Sequence, residues 1–377
     1  MAVGETFPNA RPGWLAERTG LAAARQGDRA ALARSLILLL ALVLGVTVLG
    51  SLATGPITVP VLDLLPHVPK LFTAEELPAS VSMRDWVVVT EIRLPRVVLG
   101  ALIGAALAVS GAVMQGLFRN SLADPGIVGV SAGAGLGAAL FIVLGNAALA
   151  PVMAVLGIYA VPIAAFAGGL INTLLLYRIG TRGGFTSVAT LLLAGIALGA
   201  LTGAATGLLV YVADDQELRD LQFWGLGSLA GANWEKVASA APIILAMLFA
   251  TPFLARGLNA LTLGEAAAAH IGIRVQRLKN ISILLVAAAT GASVAVSGGI
   301  GFVGIVVPHL LRLTIGPDHR FLLPAAALLG AILLIAADTL ARTIVAPAEL
   351  PIGIITAFAG APFFLWILLK NRGLSGL

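Results

Sequence analysis

Long stretches of this chain carry no charge, and the breaks between them are short and rich in Gly, Pro and Asn. A helix needs about 20 apolar residues to cross a bilayer's hydrocarbon layer, at about 1.5 Å per residue. By that measure 35–62 holds one span, ending near Thr54-Gly55-Pro56, and 97–118 a second. The 53 uncharged residues of 125–177 are too long for one span and fit two, cut around Gly145-Asn146 and Pro151. A fifth falls in 183–213 and a sixth in 237–255. The run 280–311, cut at Gly298-Gly299-Ile300-Gly301, gives a full span and a shorter one. The last two lie at 321–337 and 350–369. The pattern therefore predicts an all-α polytopic membrane protein with ten transmembrane helices, a polar tail at 1–34 and a transmembrane domain at 35–372.

Charge placement supports that count. Ten spans put both termini on one side. If that side is cytoplasmic, sixteen of the 23 Lys and Arg face inward, and twelve of the 18 acidic residues face outward. This is the bias that topology follows. Composition agrees: 11% of residues are charged and mean hydropathy is +1.01, against about 25% charged in soluble domains. Cys is absent, which removes disulfides and Cys-based metal sites. The outer loop at 55–90 holds Pro56, Pro60, Pro66, Pro69 and Pro78 and reads as a surface segment with room for a short amphipathic helix. The octamer Gly104-Ala105-Ala106-Leu107-Ala108-Val109-Ser110-Gly111 echoes Gly291-Ala292-Ser293-Val294-Ala295-Val296-Ser297-Gly298 in a span of opposite direction, as inverted transporter repeats do.

What the chain lacks narrows its energy source. Asp124, Asp338 and Glu349 fall at span ends, so span centres are expected to carry no ionisable group, which argues against proton or sodium coupling. No Gly-x-x-x-x-Gly-Lys-[Ser/Thr] loop is present, so ATP is not hydrolysed by that route. Nor do paired nucleophilic or acid–base groups mark a membrane enzyme; Asp214-Asp215-Gln216-Glu217 reads as a solvated loop. Uphill transport would need a separate motor docking on the inner face. The segment 261–277, with the Ala-rich stretch Leu263-Gly264-Glu265-Ala266-Ala267-Ala268-Ala269-His270-Ile271-Gly272, is a short helix too polar to span, and suits docking; the alternative is a simple cap between spans. Trp86, Trp224, Trp234 and Trp366 read as interfacial anchors. Pro308 predicts a kink in a short helix, and His309 reads as a hydrogen-bonding partner more readily than a metal ligand.

Several segments resemble one family in order and spacing. They are Glu91-Ile92-Arg93-Leu94-Pro95-Arg96, then Met114-Gln115-Gly116-Leu117-Phe118-Arg119-Asn120-Ser121-Leu122-Ala123-Asp124-Pro125-Gly126, then Gly129-Val130-Ser131-Ala132-Gly133-Ala134-Gly135. Leu191-Leu192-Leu193-Ala194-Gly195, Gly301-Phe302-Val303-Gly304-Ile305-Val306-Val307-Pro308-His309 and Glu349-Leu350-Pro351-Ile352-Gly353 follow. This series is similar to the FecCD-type permeases of ATP-binding-cassette importers for iron chelates, haem and vitamin B12, and most similar to the haem branch around residues 117–135.

The resemblance implies a homodimer of the type II importer class with its pore on the twofold axis. It also implies two cytoplasmic ATPase subunits that hold ATP and Mg, a periplasmic binding protein, and a place in the bacterial inner membrane. Arg93, Arg96 and Arg342 match outer arginines that pair with carboxylates of the binding protein; simple interfacial anchoring is the alternative. Leu263, Gly264, Glu265, Ala266, Ala267, His270 and Gly272, in a loop at about 257–278, match the ATPase-coupling region. Asn120, Leu122, Val188 and Ala189 match the cytoplasmic gate, where Ser121 stands in place of the family's Pro and Val188-Ala189 in place of hydroxyl residues. Haem is the expected substrate, with ferric siderophores and vitamin B12 as alternatives; no permanent cofactor, metal site or nucleic-acid partner is implied.

Overall fold

The structure is a computed structural model describing residues 29–372 other than 56, 58, 65, 68–80, 122, 146, 183 and 184. Most of the tail at 1–34, and the gate residue Leu122, therefore lie outside the described residues. Twelve helices organise what is described. They are α1 (Ala30–Ala53), α2 (Leu94–Phe118), α3 (Val130–Leu144), α4 (Ala160–Gly180), α5 (Val188–Val212) and α6 (Asp215–Leu226). The others are α7 (Trp234–Leu261), α8 (Glu265–His270), α9 (Val275–Ser297), α10 (Val303–Ile315), α11 (His319–Ala341) and α12 (Ile352–Arg372). A two-rung hairpin, β1 (Thr181–Arg182) with β2 (Phe185–Thr186), joins α4 to α5.

Among the described residues, seven helical stretches are long and apolar enough to cross a membrane: α1, Met83–Phe118, Ala150–Gly180, most of α5, α7, α9 and α11. The helices α3, α10 and α12 are shorter but apolar. The breaks sit where the glycines and prolines predict them. Gly298 ends α9 at φ 71°, a backbone geometry that suits glycine. Pro151 opens the short helix Ala150–Leu156 after α3 closes at Leu144.

The centre is α2. Nearly all of it is buried, and it packs on α7, α9, α10 and α11. A second layer joins α3 to α4 and α5, and α9 bridges the two layers through its contacts with α2 and α4. Small residues set the closeness. A Cβ on Gly104 would lie 2.2 Å from the carbonyl oxygen of Gly330 in α11, and one on Gly133 would lie 2.3 Å from that of Gly168 in α4. Backbones in lipid approach this closely only across glycine. The outward faces of α1 and α5 remain apolar and exposed, as at Leu38, Leu42, Leu193, Ile196 and Leu201.

One expectation changes and another holds. Asp214 to Glu217 is not an open loop: Asp214 accepts N–H donors from Gln216 and Glu217, Glu217 accepts from the Asp214 N–H, and this reciprocal cap starts the amphipathic helix α6. The outer segment contains the short helix expected there, Val61–Leu64; Val59, Val61 and Leu64 are buried with Leu52, Val88 and Ile335, while Ile57, Met83 and Val87 stand exposed.

Candidate functional site

The polar chemistry gathers at opposite ends of the bundle. At the first end, α2 begins below a π-helical turn, Val88–Arg93, and presents Arg93 and Arg96 toward the end of α11. Arg96 is bound by two carboxylates. Its Nε lies 2.9 and 3.0 Å from the oxygens of Asp338, its Nη2 lies 2.8 Å from Asp338 Oδ1, and its Nη1 lies 2.9 Å from Glu349 Oε1. Arg342, one turn beyond Asp338, approaches the same carboxylate at 3.7 Å.

Arg93 and Arg342 then turn to the end of α1. Arg93 donates to the carbonyls of Leu52 (2.5 Å), Ala53 (3.2 Å) and Ile57. Arg342 donates to the carbonyls of Ser51 (2.5 Å) and Thr54 (2.8 Å) and to Ser51 Oγ (2.7 Å). A helix C-terminus leaves carbonyls without intrahelical donors and carries partial negative charge. The two arginines satisfy both demands there. All three arginines are under a tenth exposed. The three guanidinium groups thus share Asp338 and Glu349, the charge of Asp85 reaches Arg93, and helix carbonyls take most of the remaining hydrogen bonds.

The second end holds the coupling and gate segments. Gly264, at φ 106°, and Gly272, at φ 88°, bracket α8. Ala268 of α8 is buried, while Leu263 and Ile271 stand about two-thirds exposed on either side of it. His270 Nδ1 lies 2.7 Å from the Ala266 carbonyl, which folds its ring against its own helix. Glu265 reaches Lys279 of α9, both carboxylate oxygens lying 2.8 Å from Nζ. Arg119, which closes α2 at φ 50°, runs beside Gly264, so the 119–121 turn carrying Asn120 and the coupling segment share this end. Val188 and Ala189 open α5, whose first turn is capped by Ser187 Oγ accepting from Thr190 N–H.

Asp318 belongs to this end as well. It caps α11 through the Arg320 N–H, accepts from Asn259 Nδ2 at 2.7 Å and pairs with the Arg320 guanidinium at 2.7 Å. The Arg320 hydrogen bonds, helped by the Asn259 amide, hold its carboxyl down at about 2. A depressed folded value means that the carboxylate contributes stability above its unfolded pKa of about 3.9, and that this contribution fades as pH falls toward 2. Replacing Asp318 with Asn should flatten that portion of the stability–pH curve; thermal unfolding between pH 5 and pH 2 checks it, and an unchanged acid limb would count against the assignment.

One expectation about depth fails. Asp124 does not sit at a span end. After α2 the chain turns back, and the ideal Cβ position of Gly304 is 3.0 Å from Asp124 Oδ2 and 3.2 Å from the carbonyl oxygen of Leu107, midway along α2. Asp124 there lines a cavity of about 20 Å³ with Ser131, Thr290 and Phe302. Its Oδ1 accepts from Gly126 N–H at 2.7 Å and starts a 3₁₀ turn, Pro125–Val128. A carboxylate therefore lies at the depth of the α2 midpoint, serving the return of the chain. Trp234 is likewise more than an anchor: its Nε1 donates to the Thr90 carbonyl at 3.0 Å. His309 meets Phe363 edge to face, with ring centroids 6.1 Å apart. Among the described residues, no group of three or more His, Cys, Asp or Glu is placed to hold a metal.

Sequence reasoning picked out the three arginines but missed their partners. Asp338 lies in an otherwise apolar run, and a lone carboxylate there requires a nearby cation. That signal says a partner exists without saying which. Lys279 carries no such signal: in the sequence it is one of several bases in a basic loop.

The arrangement is a mostly apolar helical core, with Asp124 at the level of the α2 midpoint, and two polar ends, each tying several helices together. It offers conformational linkage, and among the described residues no nucleophile–base pair is brought together. The model of the FecCD transport family matches residues 38–370. A hemin transport system permease protein, HmuU, of Yersinia pestis is 50% identical over 287 residues, covering 76% of this chain and 84% of the relative. A cobalamin import system permease protein, BtuC, of Halobacterium salinarum is 47% identical over 291 residues, covering 77% and 75%. A vitamin B12 import system permease protein of Salmonella paratyphi A is 43% identical over 290 residues, covering 77% and 86%. A solved inward-facing conformation of a metal-chelate type ABC transporter superposes with a TM-score of 0.77 at 32% identity, covering 89% of this chain and 99% of that one. With the whole helical core matched, and the ends built for linkage, this chain belongs to the FecCD transport family, as a membrane permease of an ABC importer and not an enzyme.

Proposed function

We propose that the permease carries haem, as one of two identical copies that enclose a path on their twofold axis. The observation that carries the substrate is the 50% identity with the hemin permease, against 47% and 43% for the cobalamin permeases. Physical chemistry is compatible: an apolar, Ala- and Gly-rich lining lets a flat, largely apolar molecule pass without an axial ligand that would retain it. Ten helices, counting α3, α10 and α12, cross the bacterial inner membrane with both termini in the cytoplasm, which follows the distribution of Lys and Arg.

A periplasmic binding protein docks at the arginine end. The three arginines are buried and paired within the chain, so the family resemblance, not a surplus of free charge, carries this assignment. Because Arg93 and Arg342 also hold the end of α1, docking and the position of α1 are linked. Two ATPase subunits, each with ATP and Mg, dock at α8, where exposed Leu263 and Ile271 flank Gly264, Glu265, Ala266, Ala267, His270 and Gly272. Asn120, Leu122, Val188 and Ala189 narrow the path at that end.

Uptake of labelled haem, cobalamin and a ferric siderophore by the complex, reconstituted with its ATPase and cognate binding protein, tests this. ATP-dependent accumulation of haem alone is the expected result. Uptake of cobalamin or the siderophore in its place would reassign the substrate, and uptake by the purified chain alone on a proton or sodium gradient would overturn the ATPase-driven reading.

A further inference from the structure

Lys279 occupies an unusual position. It lies on the second turn of α9, and it is 4% exposed. Its ammonium sits between two elements that the chain order keeps apart. On one side are both carboxylate oxygens of Glu265, in α8, at 2.8 Å. On the other is the backbone carbonyl of Thr186, in β2, at 3.5 Å. Lys presents three donors at the end of a flexible stem, so one ammonium can hold both contacts. Thr186 immediately precedes Ser187, whose hydroxyl caps α5 and whose N–H donates to the Gly180 carbonyl at 3.0 Å.

A second set of contacts makes the hairpin side stiff. The Gln276 amide nitrogen, one turn before Lys279, lies 3.2 Å from Thr186 Oγ1, 2.6 Å from the Tyr177 hydroxyl and 2.9 Å from Asn280 Oδ1, with two hydrogens to share among them. Thr186 Oγ1 lies 3.0 Å from Thr181 Oγ1 across the hairpin, and the Tyr177 hydroxyl donates to Asn280. The hairpin is thereby fixed to α4 and α9 by side-chain bonds. Its link to α8 runs through the Lys279 ammonium, whose contact with the Thr186 carbonyl is long at 3.5 Å. Displacing Glu265 with α8 would move the ammonium and make or break that contact first.

We propose that Lys279 transmits the movement of α8 to Thr186 and the Ser187 cap of α5, so that it is a positioning residue coupling ATPase docking to Val188 and Ala189. This rests on the permease reading above. Glu265 is partly exposed and stays solvated without its partner, so Lys279→Met removes the link without stranding a fully buried charge. Lys279→Arg keeps a cation that can reach both contacts.

The chain has no cysteine, so Ala189→Cys supplies a single reporter thiol in each permease copy. The assembled complex, made with a cysteine-free ATPase, is labelled with a membrane-impermeant maleimide before and after ATP with vanadate. With Lys279 present, the labelling rate of Cys at 189 should change on nucleotide trapping. With Lys279→Met, that change should shrink about tenfold while ATPase co-purification and ATP hydrolysis per complex persist, and Lys279→Arg should recover it. An undiminished nucleotide response in Lys279→Met overturns the proposal, as does a response that Lys279→Arg does not restore. If Lys279→Met does not assemble, Lys279→Gln, neutral but able to donate, carries the same expectation and the same refutation. Failure of the Lys279 protein itself to retain the ATPase would overturn the docking reading, and the proposal with it; that outcome is distinct because it appears before any substitution at 279.

Discussion

Replacing Asp338 with Ala should destabilise the permease by about 3–5 kcal/mol, the scale observed when one member of a buried ion pair is removed. The reason is what Asp338 holds. It is 3% exposed and accepts three N–H contacts from Arg96, with Arg342 alongside at 3.7 Å. Without it, Arg96 retains only Glu349 and Arg342 loses its closest carboxylate, and both guanidiniums remain buried. The damage would spread, because Arg342 and Arg93 together hold the carbonyls at the end of α1. Glu349 supplies the control. Its side chain is about one-third exposed, so Glu349→Gln leaves a group that water can reach and should cost about 1 kcal/mol or less. Thermal unfolding in detergent, followed by the loss of monodisperse protein, measures both. Equal midpoints for Asp338→Ala and Glu349→Gln would refute the central place given to Asp338.

The same cluster changes how docking variants should be read. Arg93→Glu or Arg96→Glu would place a carboxylate against helix carbonyls or against Asp338 and Glu349, so lost stimulation by a binding protein could reflect a displaced α1. A docking effect is separable if the variant keeps its unfolding midpoint in detergent while its affinity for the binding protein falls.

Span positions are legible in this sequence because hydrocarbon tolerates no unpaired charge or backbone group, so the apolar runs must be helices and the Gly and Pro breaks must be their ends. Gly298 shows this well: the residue that breaks the run at 280–311 is the one whose positive φ ends α9. Depth and pairing are less legible. Asp124 follows a span by only six residues, and a linear reading puts it at the surface; that the chain turns back to the level of Leu107 depends on Gly304 leaving room for the carboxylate. Arg96 finds Asp338 and Glu349 at sequence separations of 242 and 253, and no local periodicity reports contacts of that range. The cap of α6 is a different kind of miss. Asp214 and Glu217 have the spacing of a reciprocal cap, and the signal was masked because four polar residues in a row also suit a loop. At the coupling end, the glycines bracketing α8 are plain in the sequence, whereas the shared use of Lys279 by Glu265 and Thr186 is a property of the folded chain.

Gly111→Ala should be among the most damaging single-methyl changes in the described residues. A Cβ at 111 would stand 1.8 Å from the carbonyl oxygen of Gly304 and 2.5 Å from its carbon. Both obstacles are backbone, so no side-chain rotation relieves them. Non-bonded carbons prefer a separation of about 3.5 Å, so α2 and α10 would have to part by more than about 1 Å. That movement cannot stay local. Gln115, one turn along α2, donates to the same Gly304 carbonyl at 3.3 Å, Gly104 holds α2 against Gly330 of α11 on another side, and Gly304 also borders Asp124 and the returning chain. The expected loss exceeds about 3 kcal/mol, the upper part of the usual overpacking range. Gly203 in α5 is the matched control, since a Cβ there meets nothing within 4 Å. Gly203→Ala should express and run as the unaltered protein on size exclusion, whereas Gly111→Ala should give aggregated or degraded chain. Indistinguishable profiles would mean that α2 and α10 are not packed backbone to backbone, and the central position assigned to α2 would have to be abandoned.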